Sequence, residues 1–137
     1  MPDTVETAVR AILVGASGVT DLVSTRVFPT GAPSSVAKPF VIYEVDSLEP
    51  VDALDGHAGI TFATFTITSW GATYSDAKAV SAAIRAALND YTGTSDSVSI
   101  PFASHDSSRD IVYWPEDGSE LPIHGVEQDW RITYRST

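Results

Sequence analysis

A strand that passes straight into a capped helix restricts a chain more tightly than any composition figure, and Ile60–Tyr91 is such a unit. Ile60 to Trp70 is rich in β-branched and aromatic residues, which suit a pleated surface. Gly71 ends the strand, and Thr73 offers a hydroxyl to the first free amides of a helix. Asp76 sits three residues on, close to capping-box spacing. Tyr74, Ala77, Val80, Ile84, Leu88 and Tyr91 then recur in steps of three and four, so they share one face. Gly93 is expected to stop the helix. A helix with one apolar stripe, fed by a strand, predicts a helix lying on a sheet.

The flanking segments supply further elements. Asp3 or Thr4 can cap a first helix with Val5, Val9 and Ile12 on one face, and Gly15 and Gly18 break it. Val19 to Ser24 reads as a short second turn around Val19, Leu22 and Val23, and Phe28 to Ser35 as turn and loop. Phe40–Leu48 reads as a strand behind Pro39, and Glu49–Gly59 as a long polar loop. Thr92–Ser97 reads as a linker. Val98–Ala103 and Asp110–Trp114 read as two short strands, with Pro101 marking a sheet edge or a bulge. The final strand alternates most cleanly. Val126, Gln128, Trp130, Ile132 and Tyr134 face one way, and Glu127, Asp129, Arg131, Thr133 and Arg135 the other. The expectation is an α+β fold, a mostly antiparallel sheet of about four strands with two helices packed on one face, in a single domain spanning 1–137.

Composition narrows the function. The 137 residues are 43% hydrophobic, enough for one real core. There is no cysteine, which excludes disulfides and thiolate metal sites. No apolar run approaches the ~20 residues of a membrane span. Asp3 and Glu6 stand where a signal peptide would be basic, so the chain is expected to stay where it is made. A net charge of -10 argues against wrapping nucleic acid by phosphate neutralisation. No basic residue lies between Lys38 and Lys78, whereas Glu44, Asp46, Glu49, Asp52, Asp55 and Asp76 do. That local field repels DNA, attracts a basic partner, or simply keeps the protein soluble.

Catalytic patterns are missing from the sequence. It has no G-x-S-x-G elbow and no phosphate-binding loop, and Gly15-Ala16-Ser17-Gly18 reads as a helix stop. Asp52, Asp55 and His57 lack the ladder of oxygen ligands that a hard cation needs. His105, Asp106 and Asp110 have no nucleophile placed beside them and read as surface loop. Trp70, Trp114 and Trp130 fall in strands without a basic groove, so a core or half-buried role is expected. No enzyme and no cofactor are expected.

A set of landmarks appears in order: Val19-Thr20-Asp21-Leu22-Val23, Arg26-Val27-Phe28-Pro29, Lys38-Pro39-Phe40-Val41-Ile42-Tyr43 and Leu54-Asp55-Gly56. Thr66-Ile67-Thr68-Ser69-Trp70-Gly71-Ala72-Thr73-Tyr74 follows, leading to Ala83-Ile84-Arg85-Ala86-Ala87-Leu88 and finally Trp130-Arg131-Ile132-Thr133-Tyr134. Together they resemble the phage tail completion family, small tail terminator or head–tail joining proteins of long-tailed phages. The resemblance implies a structural virion protein without enzymatic activity or cofactor, assembled in the host cytoplasm. It implies a ring, usually hexameric, at the head-proximal end of the tail, which ends tube polymerisation and presents the head-joining surface. The implied partners are copies of the chain, the tail tube protein and a head-side connector or stopper. DNA would cross the lumen without specific binding, and no membrane is involved. A head-side connector or stopper is the alternative role, and an acidic module that sequesters a basic partner is a further one. Within this reading Glu49, Asp52, Leu54, Asp55 and His57 of the long loop are expected to form a contact or lumen element. The outward face of the last strand, with acids at one end and Arg131 and Arg135 at the other, reads as a solvated sheet face or, alternatively, as a subunit contact in which separated signs pair head to tail with a copy.

Overall fold

The computed structural model describes residues 4–31, 36–53, 56–95, 98–114 and 122–135, with the backbone path alone for 52, 53 and 56–58. Its elements run α1 (Val5–Gly15), α2 (Ser17–Val23), β1 (Val27–Pro29), β2 (Phe40–Ala53), β3 (Gly56–Gly71), α3 (Tyr74–Leu88), β4 (Gly93–Ser95), β5 (Val98–Tyr113) and β6 (Ile123–Arg135). The strands form one six-stranded sheet in the order β1-β2-β3-β6-β5-β4. The α+β class therefore stands, and most of the pairing is antiparallel, but the strand and helix counts exceed the expected four and two. The additions are small. β1 pairs parallel to β2 through Val27–Pro29, β4 pairs with β5 through Gly93–Ser95, and the expected second turn is the helix α2.

Local chemistry explains the helices. Thr4 Oγ1 accepts from the Thr7 amide while Thr7 Oγ1 accepts from the Thr4 amide, a reciprocal cap on α1. Thr73 caps α3 by accepting from the Asp76 amide. Gly71 is required just before it, because a Cβ there would stand 2.9 Å from both the Ala77 amide nitrogen and Asp76 Cβ. The expected stop at Gly93 is corrected. α3 ends at Leu88, followed by Asn89 and a left-handed Asp90 (φ 61°), a conformation that a short polar side chain tolerates.

All three helices bury their apolar residues in one cluster on one face of the sheet. Val5, Ala8, Val9 and Leu13 of α1, Val19 and Val23 of α2, and Val80, Ile84 and Leu88 of α3 meet Val41, Tyr43, Phe65, Ile67, Ala103, Trp130 and Ile132. Burial holds the Tyr43 hydroxyl above its usual pKa. The alternation expected of β6 is borne out, with Val126, Gln128, Trp130 and Ile132 all buried. Gln128 donates to the Ser81 carbonyl at 3.2 Å, tying the sheet to α3.

Two loop expectations are overturned. Glu49–Gly59 is not a loop in the main. Strand pairing between β2 and β3 continues through Glu49↔Phe62 and Val51↔Ile60 to Ala53↔Gly56, so this stretch is the far end of a long hairpin. Pro50 fits because β1 reaches only to Tyr43, leaving β2 one-sided there among the described residues. Val98–Ala103 and Asp110–Trp114 are not two strands, since β5 runs unbroken to Tyr113. Its register with β6 shifts between Ser99 and Phe102 and again between His105 and Ser107. Each shift resets the period-two pattern, which is why the sequence reads as broken. Pro101 lies within the first shift, as a bulge marker should.

Candidate assembly surface

Strand alternation assigns the second face of the sheet. Glu44 and Ser47 of β2, Phe62, Thr64, Thr66, Thr68 and Trp70 of β3, Gly125, Glu127, Asp129, Arg131 and Thr133 of β6, and Ser107 and Arg109 of β5 lie opposite one another there. Helix-packed core residues occupy the alternate positions, so among the described residues no helix packs on this face, although Thr66 and Thr68 are themselves buried within it.

Its centre is a continuous polar network across four strands. Thr66 Oγ1 donates to Asp46 Oδ2 at 2.5 Å, and Asp129 Oδ1, 3.4 Å away, is the alternative acceptor for the same proton. Ser107 Oγ donates to Asp129 Oδ2 at 3.1 Å. Arg109 grips the same carboxylate, Nη1 to Oδ2 at 3.1 Å, and also pairs with Glu127. Arg109 holds the Asp129 carboxyl below the usual carboxylate range, while desolvation opposes the shift. Carboxylates outnumber cations in this network. Solvent reaches most of it, so the pairs add little stability, about 0–1 kcal/mol each. Toward one end the face turns apolar. Trp70 lies over Gly125, where a Cβ would meet its ring at 2.9 Å and Ile111 at 3.0 Å.

The residues expected to make contacts separate into two groups. Glu49 is exposed and faces Phe62 across the β2–β3 ladder. Arg131 is exposed and stands over the Phe62 ring, its guanidinium carbon 4.3 Å from the centroid. The fold thus brings Glu49 and Arg131 to opposite sides of one aromatic ring's strand. Arg135 is exposed and faces Ile60, at the last rung that β6 shares with β3. Asp52 and His57 pair in the backbone ladder one rung beyond the Val51↔Ile60 pair, so this part of the hairpin projects past the β6 ladder. Leu54 and Asp55 lie outside the described residues.

Residues 7–112 match the family described as tail completion protein gp17. The chain belongs to that family. It is a structural protein of the phage tail, acting in tail completion during virion assembly. None of the curated proteins matches it. A chain in a solved structure titled "Virion of native gene transfer agent (GTA) particle" shares its fold. The two are 19% identical with a TM-score of 0.68, over 94% of this chain and 92% of that one.

For a tail completion protein the surface matters more than any cleft, and the sequence concealed part of that surface. The Asp46–Thr66–Asp129–Arg109–Glu127 network is hidden in the sequence because it depends on the β2 bulge at Asp46 and the β5 bulge just before Ser107. The exposed aromatic end of β5 is hidden as well. Trp130 is fully buried and Trp70 half-buried, as expected, but Trp114 is 68% exposed, beside exposed Tyr113 and Val112. Tyr74 is likewise exposed rather than part of the helix's buried stripe. Its hydroxyl donates to Asp110 Oδ2 at 3.0 Å, and Lys78 pairs with Asp110 at 2.7 Å. Lys78 thereby lowers the Asp110 pKa, and Asp110 raises that of Lys78. No helix is long and apolar enough to cross a membrane, and no cluster of potential metal ligands occurs among the described residues.

Proposed function

We propose that this tail completion protein is a tail terminator, a non-catalytic subunit whose copies close into a ring, usually of six, at the head-proximal end of the tail. One rim stops the tube protein from polymerising further. The other presents the surface that a head-side connector or stopper engages. The observation that carries the reading is the division of the sheet into a helix-packed face and an open face led by Glu44, Asp46, Glu127 and Asp129. Turned toward a lumen, such a face repels the phosphate backbone, so DNA slides past without sticking.

Particles made without the protein test this. Tails of uncontrolled length, or tails that fail to join heads, are the expected result. Tails of normal length that still attach would overturn the proposal. A particle image separates the terminator from the head-side connector, because it shows whether the subunit sits on the tube or on the head.

The 49–59 segment with Glu49, Asp52, Leu54, Asp55 and His57 is a contact or lumen element in this reading, and Arg131 and Arg135 are contact residues. The joint substitution Asp52→Ala and Asp55→Ala is expected to lower infectivity while leaving the thermal unfolding midpoint in place. Unchanged infectivity would count against that role.

A further inference from the structure

We infer that neighbouring copies join edge to edge, the free half of β2 in one subunit pairing antiparallel with the free half of β5 in the next. The inference rests on the ring reading above and specifies how the ring is closed.

Among the described residues, β1 covers β2 only along Val41–Tyr43, and β4 covers β5 only along Val98–Ile100. Glu44–Ala53 and Phe102–Tyr113 therefore have ladder partners on one side alone. Solvent reaches both, since Asp46 to Pro50 and Asp106 to Asp110 are exposed throughout. An uncovered strand presents a row of free backbone donors and acceptors, a template for another strand. Pro50 bounds the pairable stretch of β2 to Glu44–Glu49, and on β5 the Ala103 carbonyl already accepts from the Asp90 amide and the His105 amide donates to Asn89 Oδ1, so the pairable stretch there is Asp106–Tyr113.

Three properties make a second copy the partner. The first is polarity. The steps β2–β3, β3–β6 and β6–β5 are all antiparallel, so β2 and β5 run in opposite directions. A copy set beside the first in the same sense offers its β5 antiparallel to β2, and the sheet continues without a change of pattern.

The second is height. Traced through the ladder, Glu44 lies level with Thr66, Asp129 and Ser107, and Glu49 with Phe62, Thr133 and Phe102. Because Asn89 and Asp90 occupy the β5 edge at Ala103 and His105, the open stretches of two level copies meet only near Glu44 and Ser107. A displacement along the strands lengthens the overlap, because the covering strands β1 and β4 sit at opposite ends.

The third is charge. The free edge of β2 carries Glu44, Asp46 and Glu49 and no cation, whereas β5 carries Arg109 two residues from Ser107 on the same face. Arg109, which already pairs with Asp129 and Glu127, then stands beside the acids of the neighbour's β2 edge. Asp106 and Asp110 also lie on β5, and Lys78 already pairs with Asp110. Pairing β2 with another β2 would set acids against acids. The favoured contact is therefore heterologous, β2 to β5, the kind that closes rings.

Disulfide trapping in assembled particles tests the inference. The chain has no cysteine of its own. Three double variants scan the register, combining Ser47→Cys with Ser104→Cys, Ser107→Cys or Arg109→Cys. Within one subunit these sites are three strand spacings apart, about 14 Å, too far to bridge. Oxidation is expected to convert at least one double variant into a ladder of covalent multimers, with each single variant staying monomeric. A particle image that shows the ring while all three double variants stay monomeric overturns the edge pairing and leaves the ring reading intact. Disulfide dimers from Ser47→Cys alone overturn the heterologous arrangement. An image showing a lone subunit in place of a ring overturns the ring reading itself.

Discussion

The two faces of this sheet are built from the same strands and obey opposite rules. One face carries Phe65, Ile67, Trp130 and Ile132 under three helices, with no solvent reaching any of those four side chains. The other carries Thr66, Glu127, Asp129 and Arg109 in hydrogen bonds and ion pairs that water largely screens. Burial of apolar area, at about 25 cal/mol per Å², makes the first face the source of stability. Polar groups that have already found partners at little net gain leave the second face free to serve contact. A protein whose work is assembly can therefore change its open face without unfolding.

That contrast can be broken by substitution. The largest expected effect is on the covered face. Trp130→Ala should cost about 3–5 kcal/mol in denaturant unfolding, because the surroundings of a fully buried indole collapse only in part. A loss below about 1 kcal/mol would mean that the helices do not seal that face. An intermediate effect is expected where the open face becomes apolar. Gly125→Ala places a methyl group 2.9 Å from the Trp70 ring, and the strain should cost about 1–3 kcal/mol. An unchanged midpoint would show that Trp70 moves freely.

The smallest expected effect on stability belongs to Arg109→Ala, a barely measurable shift of the unfolding midpoint at neutral pH, since its side chain is half exposed. This variant also sharpens the comparison through pH. Asp129 has a lowered pKa in the folded protein, caused first by its hydrogen bond to Arg109. Its contribution is thus present above the ordinary carboxylate range and is lost as pH falls through the lowered folded value. Removing Arg109 should flatten that acid limb of the stability profile while leaving the profile from pH 6 to 8, well above both values, parallel to that of the unaltered protein. A profile unchanged at acid pH would mean that the Arg109–Asp129 pair is not formed in solution.

Legibility in the sequence differed between elements for physical reasons. The Ile60–Tyr91 unit was legible because every signal in it is local: a β-branched run, Gly71, the Thr73 cap and a repeat of three and four. β6 was legible because one buried face enforces strict alternation. The Glu49–Gly59 stretch was misread because Pro50, Gly56 and its acids are turn vocabulary, whereas β3 supplies the pairing that makes it a strand. β5 was misread because two bulges interrupt its alternation. Of the expected contact residues, Glu49 and Arg131 converge on Phe62, a neighbourhood created by strand pairing across more than eighty residues of chain.

By itself, the sequence determined the α+β class, the capped helix on the sheet, the buried stripe of β6, the acidic character and the tail completion family. These are properties of local spacing, summed charge and ordered landmarks, which need no partner strand to exist. Tertiary structure alone decided that β2 and β5 run long, that their coverings lie at opposite ends, and that Asp46, Asp129 and Arg109 meet. Those features depend on register, and register is settled only when distant strands compete for the same hydrogen bonds and the same apolar face.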